Sequence, residues 1–172
     1  MTEKLPHASP HTSPHSSGDD QLALARQTAL RRLDRRECST GDISECLRRK
    51  KFPADIITQV VQELVDRKYI NNEKYSRIVA REQTLRGKGP NWIRMKLKQK
   101  GIVAERGAIE TLIQEVTETS ELDTARAVLC RRYPQARANP VIGKKAIQAL
   151  LRRGFSYGVA REALASFDLD LG

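Results

Sequence analysis

Leu47-Arg48-Arg49-Lys50-Lys51-Phe52, Leu97-Lys98-Gln99-Lys100-Gly101-Ile102 and Leu150-Leu151-Arg152-Arg153-Gly154-Phe155 are three renderings of one phrase: a leucine, a basic stretch, a turn residue and a large apolar side chain. Leu97 lies 50 residues after Leu47, and Leu150 lies 53 after Leu97. A period of that length leaves room in each copy for about three ordinary helices joined by short turns. The phrase therefore predicts an all-α chain, a tandem of small helical units, before any local propensity is weighed.

The residues around each copy fill in the helices. Leu22, Ala25, Ala29, Leu30 and Leu33 follow a helical spacing from Gln21 to about Arg36-Glu37. Ser39, with Asp42 three residues on, has the pattern of a capping box, in which the hydroxyl accepts a free backbone N–H and the acid suits the positive end of the helix dipole. After Phe52-Pro53, the residues Ile56, Ile57, Val60, Val61, Leu64 and Val65 give a third helix with a broad apolar face. The second unit opens at Asn71-Asn72 with Tyr75, Ile78, Val79 and Leu85, and breaks at Gly87-Lys88-Gly89-Pro90. Ile93 and Leu97 then repeat Ile43 and Leu47, and Ile109, Leu112, Ile113 and Val116 repeat the third helix once a longer turn at 103–107 is allowed. A third unit starts at the Ser120/Asp123 cap pair and runs through Leu122, Ala125, Val128 and Leu129, then Ile147, Leu150 and Leu151, then Val159, Ala163, Leu164 and Phe167. The expected organisation is a tail at 1–20 and three-helix repeats at 21–68, 69–118 and 119–172, elongated because 39% hydrophobic and 30% charged residues suit a thin core.

Residues 1–20 repeat Pro6-His7, Pro10-His11 and Pro14-His15 among Ser, Thr and Ala, with almost nothing to bury, and are expected to be disordered. No apolar run approaches the roughly 18 residues of a membrane span. Three cysteines, Cys38, Cys46 and Cys130, include no Cys-x-x-Cys pair, so a reducing cytoplasmic setting is expected, with Cys38 and Cys46 read as small core residues.

Enzymatic readings fail on what is missing. The three histidines all lie in the tail, leaving residues 21–172 without the commonest general base and zinc ligand. Gly87-Lys88-Gly89 lacks the strand and the Lys-Ser/Thr ending of a phosphate loop, and Asp34, Asp42, Asp55, Asp66 and Asp123 show no paired spacing suited to magnesium. No catalytic residue, cofactor or metal site is expected.

Charge is the positive signal. The formal net charge is +10, and because residues 1–21 carry −2 the rest of the chain carries +12. The surplus gathers on the same helix of each unit: Arg48, Arg49, Lys50 and Lys51; Arg86, Lys88, Arg94, Lys96, Lys98 and Lys100; Lys144, Lys145, Arg152 and Arg153. Cations at a helix C-terminus complement its dipole, which accounts for about half of them. It does not account for Lys88, Arg94 and Lys144 near helix starts, so the candidate contacts to phosphate or an acidic protein surface are Arg48, Arg49, Lys50, Arg86, Lys88, Arg94, Lys98, Lys100, Lys144, Lys145, Arg152 and Arg153. Trp92 at a helix start reads as a packing staple.

Linked phrases across residues 22–167 carry a family resemblance: Arg35-Arg36-Glu37 leading into Ser39; Tyr69-Ile70-Asn71-Asn72-Glu73-Lys74-Tyr75; Arg86-Gly87-Lys88-Gly89-Pro90 followed by Ile93; Leu97 with Lys100-Gly101-Ile102; and Arg152-Arg153-Gly154-Phe155. In order and spacing they resemble the RecX family of bacterial regulators of the RecA recombinase. Cys38 stands where that family usually has histidine, Lys51 where it often has glycine, and Asn71-Asn72 where it favours aspartates. The resemblance implies a curved array of three-helix repeats lying in the groove of the RecA–DNA filament. It further implies inhibition of filament extension, ATP hydrolysis, strand exchange and the coprotease activity of the SOS response, by a monomer without catalytic activity. The competing expectation is a helical-repeat protein that acts directly on single- or double-stranded DNA as a transcription regulator.

Overall fold

The computed structural model describes residues 18–166, which hold nine helices and no strand. They are α1 (Gly18–Leu33), α2 (Thr40–Arg49), α3 (Ala54–Asp66), α4 (Asn72–Leu85), α5 (Pro90–Gln99), α6 (Arg106–Thr117), α7 (Glu121–Arg132), α8 (Pro140–Arg152) and α9 (Tyr157–Ala165). The principal packing falls within successive triplets, α1–α3, α4–α6 and α7–α9, in each of which the third helix lies against the other two. Each triplet has its own core: Ala25, Ile43, Leu47, Val60 and Leu64 in the first; Val79, Ile93, Leu97, Ile109 and Ile113 in the second; Ala125, Leu129, Ala146, Leu150 and Ala163 in the third. Arg26, Arg77 and Arg126 tie first helix to third in each unit, through Glu63 at 2.7 Å, Glu115 at 3.0 Å and the Ser166 hydroxyl at 3.0 Å.

The repeated phrase is a helix ending. Leu47, Leu97 and Leu150 are fully buried, and the carbonyl of each accepts the backbone N–H of the residue five further on, Phe52 at 3.3 Å, Ile102 at 3.0 Å and Phe155 at 3.2 Å. The intervening residues Lys51, Gly101 and Gly154 have φ of 63°, 76° and 91°. Left-handed residue, reciprocal hydrogen bond and paired apolar side chains make a Schellman close in all three units. At the other ends, the expected Ser39/Asp42 and Ser120/Asp123 capping boxes form, Asn71 caps α4, and Pro90 is the first residue of α5.

The structure departs from the periodicity at several points. Helix α1 is already formed at Gly18, ahead of the expected Gln21, with Asp19 and Asp20 in its first described turn, and stops at Leu33, short of the expected Arg36-Glu37. The rest of the expected tail, with its histidines, and Phe167 lie outside the described residues. In α4, Ile78 and Leu85 are 37% and 73% exposed while Ser76, Gln83 and Thr84 are buried beside Val79 and Ala80. At the last turn of α4, Thr84 and Gly87 lie close to Thr124 and Val128 of α7, so part of the buried face of α4 is turned to the next unit. Cys38 is a core residue, as expected, but Cys46 is only half-buried: Ile43 and Leu47 take the inward face of α2 and turn Cys46 toward the arginines at the end of α1.

Candidate interaction surface

The three basic helices meet end to end. The N–H of Gly41, in the first turn of α2, donates to the carbonyl of Lys100 at the end of α5, at 3.2 Å. In the next junction the N–H groups of Gly89 and Asn91, at the start of α5, donate to the carbonyls of Arg153 and Gly154 at the end of α8, at 2.9 and 3.1 Å. Orphan donors of one helix thus meet orphan acceptors of another, and two dipoles run on in series. The approach needs bare backbone: a Cβ on Gly41 would lie 2.4 Å from the Lys100 carbonyl oxygen, and one on Gly89 would lie 2.6 Å from Gly154.

The last basic residue of the second and third phrases, Lys100 and Arg153, serves these joints. Lys100 Nζ lies 2.7 Å from Oδ1 of Asp42, which is 6% exposed and belongs to the capping box of α2. Burial alone would raise the Asp42 carboxyl; the Lys100 ammonium, the Ser39 N–H and the Tyr75 hydroxyl outweigh it and hold the group below the usual carboxylate range. Tyr75, half-buried and next to that negative charge, is pushed up to about 12. Thr40 and Asn72 complete the joint, the Thr40 N–H donating to Asn72 Oδ1 at 3.2 Å. At the second joint Arg153 Nη1 donates to the carbonyls of Arg86 and Gly87, at 3.2 and 3.1 Å. Lys88 is drawn in with it, its ammonium 4.7 Å from the centre of the half-buried Trp92 ring, and burial followed by the nearby Arg153 charge holds it below the ordinary lysine range. A third link joins the same two units away from the helix ends, where Arg106 Nη2 lies 3.1 Å from Glu121.

The cations left over face outward. Arg48 and Arg49 on α2, Arg94 and Lys98 on α5, and Lys144, Lys145 and Arg152 on α8 are all exposed. Helices α8, α5 and α2 abut in that order, so these exposed cations sit on one continuous series of helices, called the basic ridge below, with about 50 Å of combined helical rise. Two clefts open along it. Arg48, Arg49, Lys50, Lys98 and Lys100, with Arg32 and Arg36, line the larger, of about 970 Å³, whose two lining acids among the described residues, Asp42 and Glu45, are paired to Lys100 and Arg48. Lys144, Lys145 and Arg152 line the other, of about 430 Å³, with Tyr133 and Gln148.

Of the twelve candidate residues, the structure brings Arg48, Arg49, Lys50, Lys98 and Lys100 together, sets Lys144, Lys145 and Arg152 at the far end, and leaves Arg94 exposed between them. Arg86, Lys88 and Arg153 collect at the α8–α5 joint. Arg32 and Arg36 lie outside these twelve; their signal in the sequence is the run Arg31-Arg32-Leu33-Asp34-Arg35-Arg36, which continues past the end of α1. Among the described residues no group of three His, Cys, Asp or Glu side chains could hold a metal ion, and no helix is long and apolar enough to cross a membrane.

Family models described as the first and third three-helix domains of RecX match residues 25–64 and 119–164, which together make half of the chain. A "Regulatory protein RecX" of Streptococcus pyogenes serotype M2 is 27% identical over 151 residues, covering 87% of this chain, and one of Streptococcus gordonii is 26% identical over the same length. The chain spans 58% of the length of each of these relatives. The crystal structure of RecX from Lactobacillus salivarius superposes with a TM-score of 0.72 at 22% identity, covering 88% of this chain and 99% of that one. A second crystal structure, of a regulatory protein RecX, gives 0.71 at 24% identity over 84% of this chain and 73% of the other.

Proposed function

The chain belongs to the RecX family of regulatory proteins, and from that premise we propose that it is a negative regulator that lies along the RecA–DNA filament on its basic ridge. The observation that carries this reading is the end-to-end junction of α8, α5 and α2, which turns three short basic helices into one long basic track. A filament is itself a long repeating polyanion, and a track of spaced cations matches it better than a single compact patch does. Bound across neighbouring protomers, such a track would resist the rearrangements that extension, ATP turnover and strand exchange require, without any chemistry of its own. The regulator acts in the cytoplasm, where the filament forms.

Direct sequence-reading of DNA is the poorer reading. A helix-turn-helix unit inserts the N-terminal part of a recognition helix into the major groove. Here the first turns of α2 and α5 are occupied by the ends of α5 and α8, and α3 carries acids, Asp55, Glu63 and Asp66, with no basic residue. The test is RecA ATPase and filament length measured with the wild-type chain and with an R94A/K98A variant. Inhibition by the wild type that is weakened in the variant is expected; full inhibition by both, or by neither, overturns the ridge as the contact.

A further inference from the structure

A smaller cleft of about 380 Å³ sits behind the first unit, lined by Thr28, Arg31, Arg32, Arg35, Arg36, Cys46 and Lys50. Among the described residues, five cations and no carboxylate face it. Helix dipoles account for little of this: the ends of α1 and α2 converge here, each worth about half a negative charge against five positive ones. The neighbouring acids are not lining groups, and Glu37 is paired with Lys74. Arg31, Arg32, Arg35 and Lys50 make no ion pair with any described residue. Arg32 goes further, since its Nε is fully buried and has no hydrogen-bond acceptor among the described residues, which holds the guanidinium in place at a cost. That Nε is out of reach of the cleft, but the crowding of like charges around the recess is also costly, and an anion in the cleft relieves it.

We propose that the α1–α2 cleft binds a compact polyphosphate anion, a pyrophosphate or triphosphate group. A carboxylate brings one charge, whereas a polyphosphate brings several charges and many acceptor oxygens into a volume that this recess can hold, and guanidinium forks pair with phosphate oxygens two at a time. The Thr28 hydroxyl adds a neutral donor. Among the described residues no aromatic side chain lines the cleft, so the polyphosphate is what is recognised, and any base or sugar attached to it would project outward. A nucleic-acid strand fits less well, because it spreads single charges along its length and a recess of this size would take in about one of them. The site shares Arg32, Arg36 and Lys50 with the larger cleft, so an occupant would also change the charge at the end of the ridge.

Titration calorimetry of the full chain with inorganic triphosphate at near-physiological salt tests the proposal. One saturable site per chain is expected. R32Q and K50Q should each weaken it about tenfold or more, as loss of a charge-assisted hydrogen bond does, while K144Q/K145Q leaves it unchanged. Because K50Q changes an exposed residue, it keeps the test open should R32Q fail to fold. Triphosphate should also slow alkylation of half-buried Cys46 while leaving exposed Cys130 unaffected. Absence of binding, several weak sites, or equal loss in K144Q/K145Q overturns the proposal. So does a single-stranded oligonucleotide that outcompetes triphosphate with the same dependence on Arg32 and Lys50, which would make the cleft part of a nucleic-acid surface. Filament inhibition is read separately and stands or falls on the ridge.

Discussion

At Gly154 φ is +91°, and a Cβ would lie 2.4 Å from the backbone nitrogen of Trp92. Gly101, at the equivalent place, meets its neighbour only at 3.4 Å, because there the close approach is provided by Gly41 on the other side. G154A and G41A should therefore destabilise the chain by about 2 kcal/mol or more, through backbone strain and forced separation of the units, while G107A, where a Cβ meets nothing, should not. Denaturant midpoints check this. Lys51 holds the same left-handed conformation with a full side chain, since among the described residues no helix N-terminus docks on the end of α2 as α2 and α5 dock on α5 and α8; its cost is about 1–2 kcal/mol of local strain. That the phrase ends in a left-handed turn was legible in Lys100-Gly101 and Arg153-Gly154. That Gly41 and Gly89 are the opposing halves of the joints was not, since a one-dimensional pattern does not say which glycine faces which. Asp42 adds a dependence on pH. Its folded pKa lies below the model-peptide value of 3.8, so its contribution is present above about pH 4 and disappears as pH falls through the lower, folded value. D42N should lower stability at pH 7 and flatten the loss below about pH 4, as urea midpoints across pH would show.

Among elements, the informative contrast is between two lysines two residues apart. Lys98 and Lys100 sit in one phrase and looked alike as candidate contacts, yet Lys98 is exposed on the ridge while Lys100 reaches across the joint to buried Asp42. K98A should cost about 0–1 kcal/mol of stability and act on binding. K100A should cost about 1–3 kcal/mol by leaving a buried carboxylate short of its partner. Finding the two variants equally stable would remove the joint from the account of Lys100. Capping was the most legible feature of all: Ser120 and Asp123 form the box their spacing announced, and S120A should cost about 1 kcal/mol in thermal or chemical denaturation. Least legible was the buried face of α4. Leu85 obeys helical spacing yet is 73% exposed, because which face a helix buries depends on the neighbouring unit as well as on its own periodicity.

For the whole molecule, the sequence showed where the positive charge lies along the chain but not that the three separate basic helices join end to end, which is a property of the joints. The proposed filament reading makes this continuity testable apart from charge. Neutralising R48A/R49A, R94A/K98A or K144A/K145A should each weaken filament binding and lower its sensitivity to salt, since each removes ionic contacts that salt competes with. If one pair carries the whole effect, the contact is a local patch on that helix. G154A supplies the complementary arm, for it removes no charge but opens the α8–α5 joint at Trp92. At a temperature where the variant remains helical by circular dichroism, it should inhibit the filament less than the wild type while keeping a comparable dependence on salt. Undiminished inhibition by G154A would mean that the units engage independently and that the end-to-end joint serves only the stability of the fold.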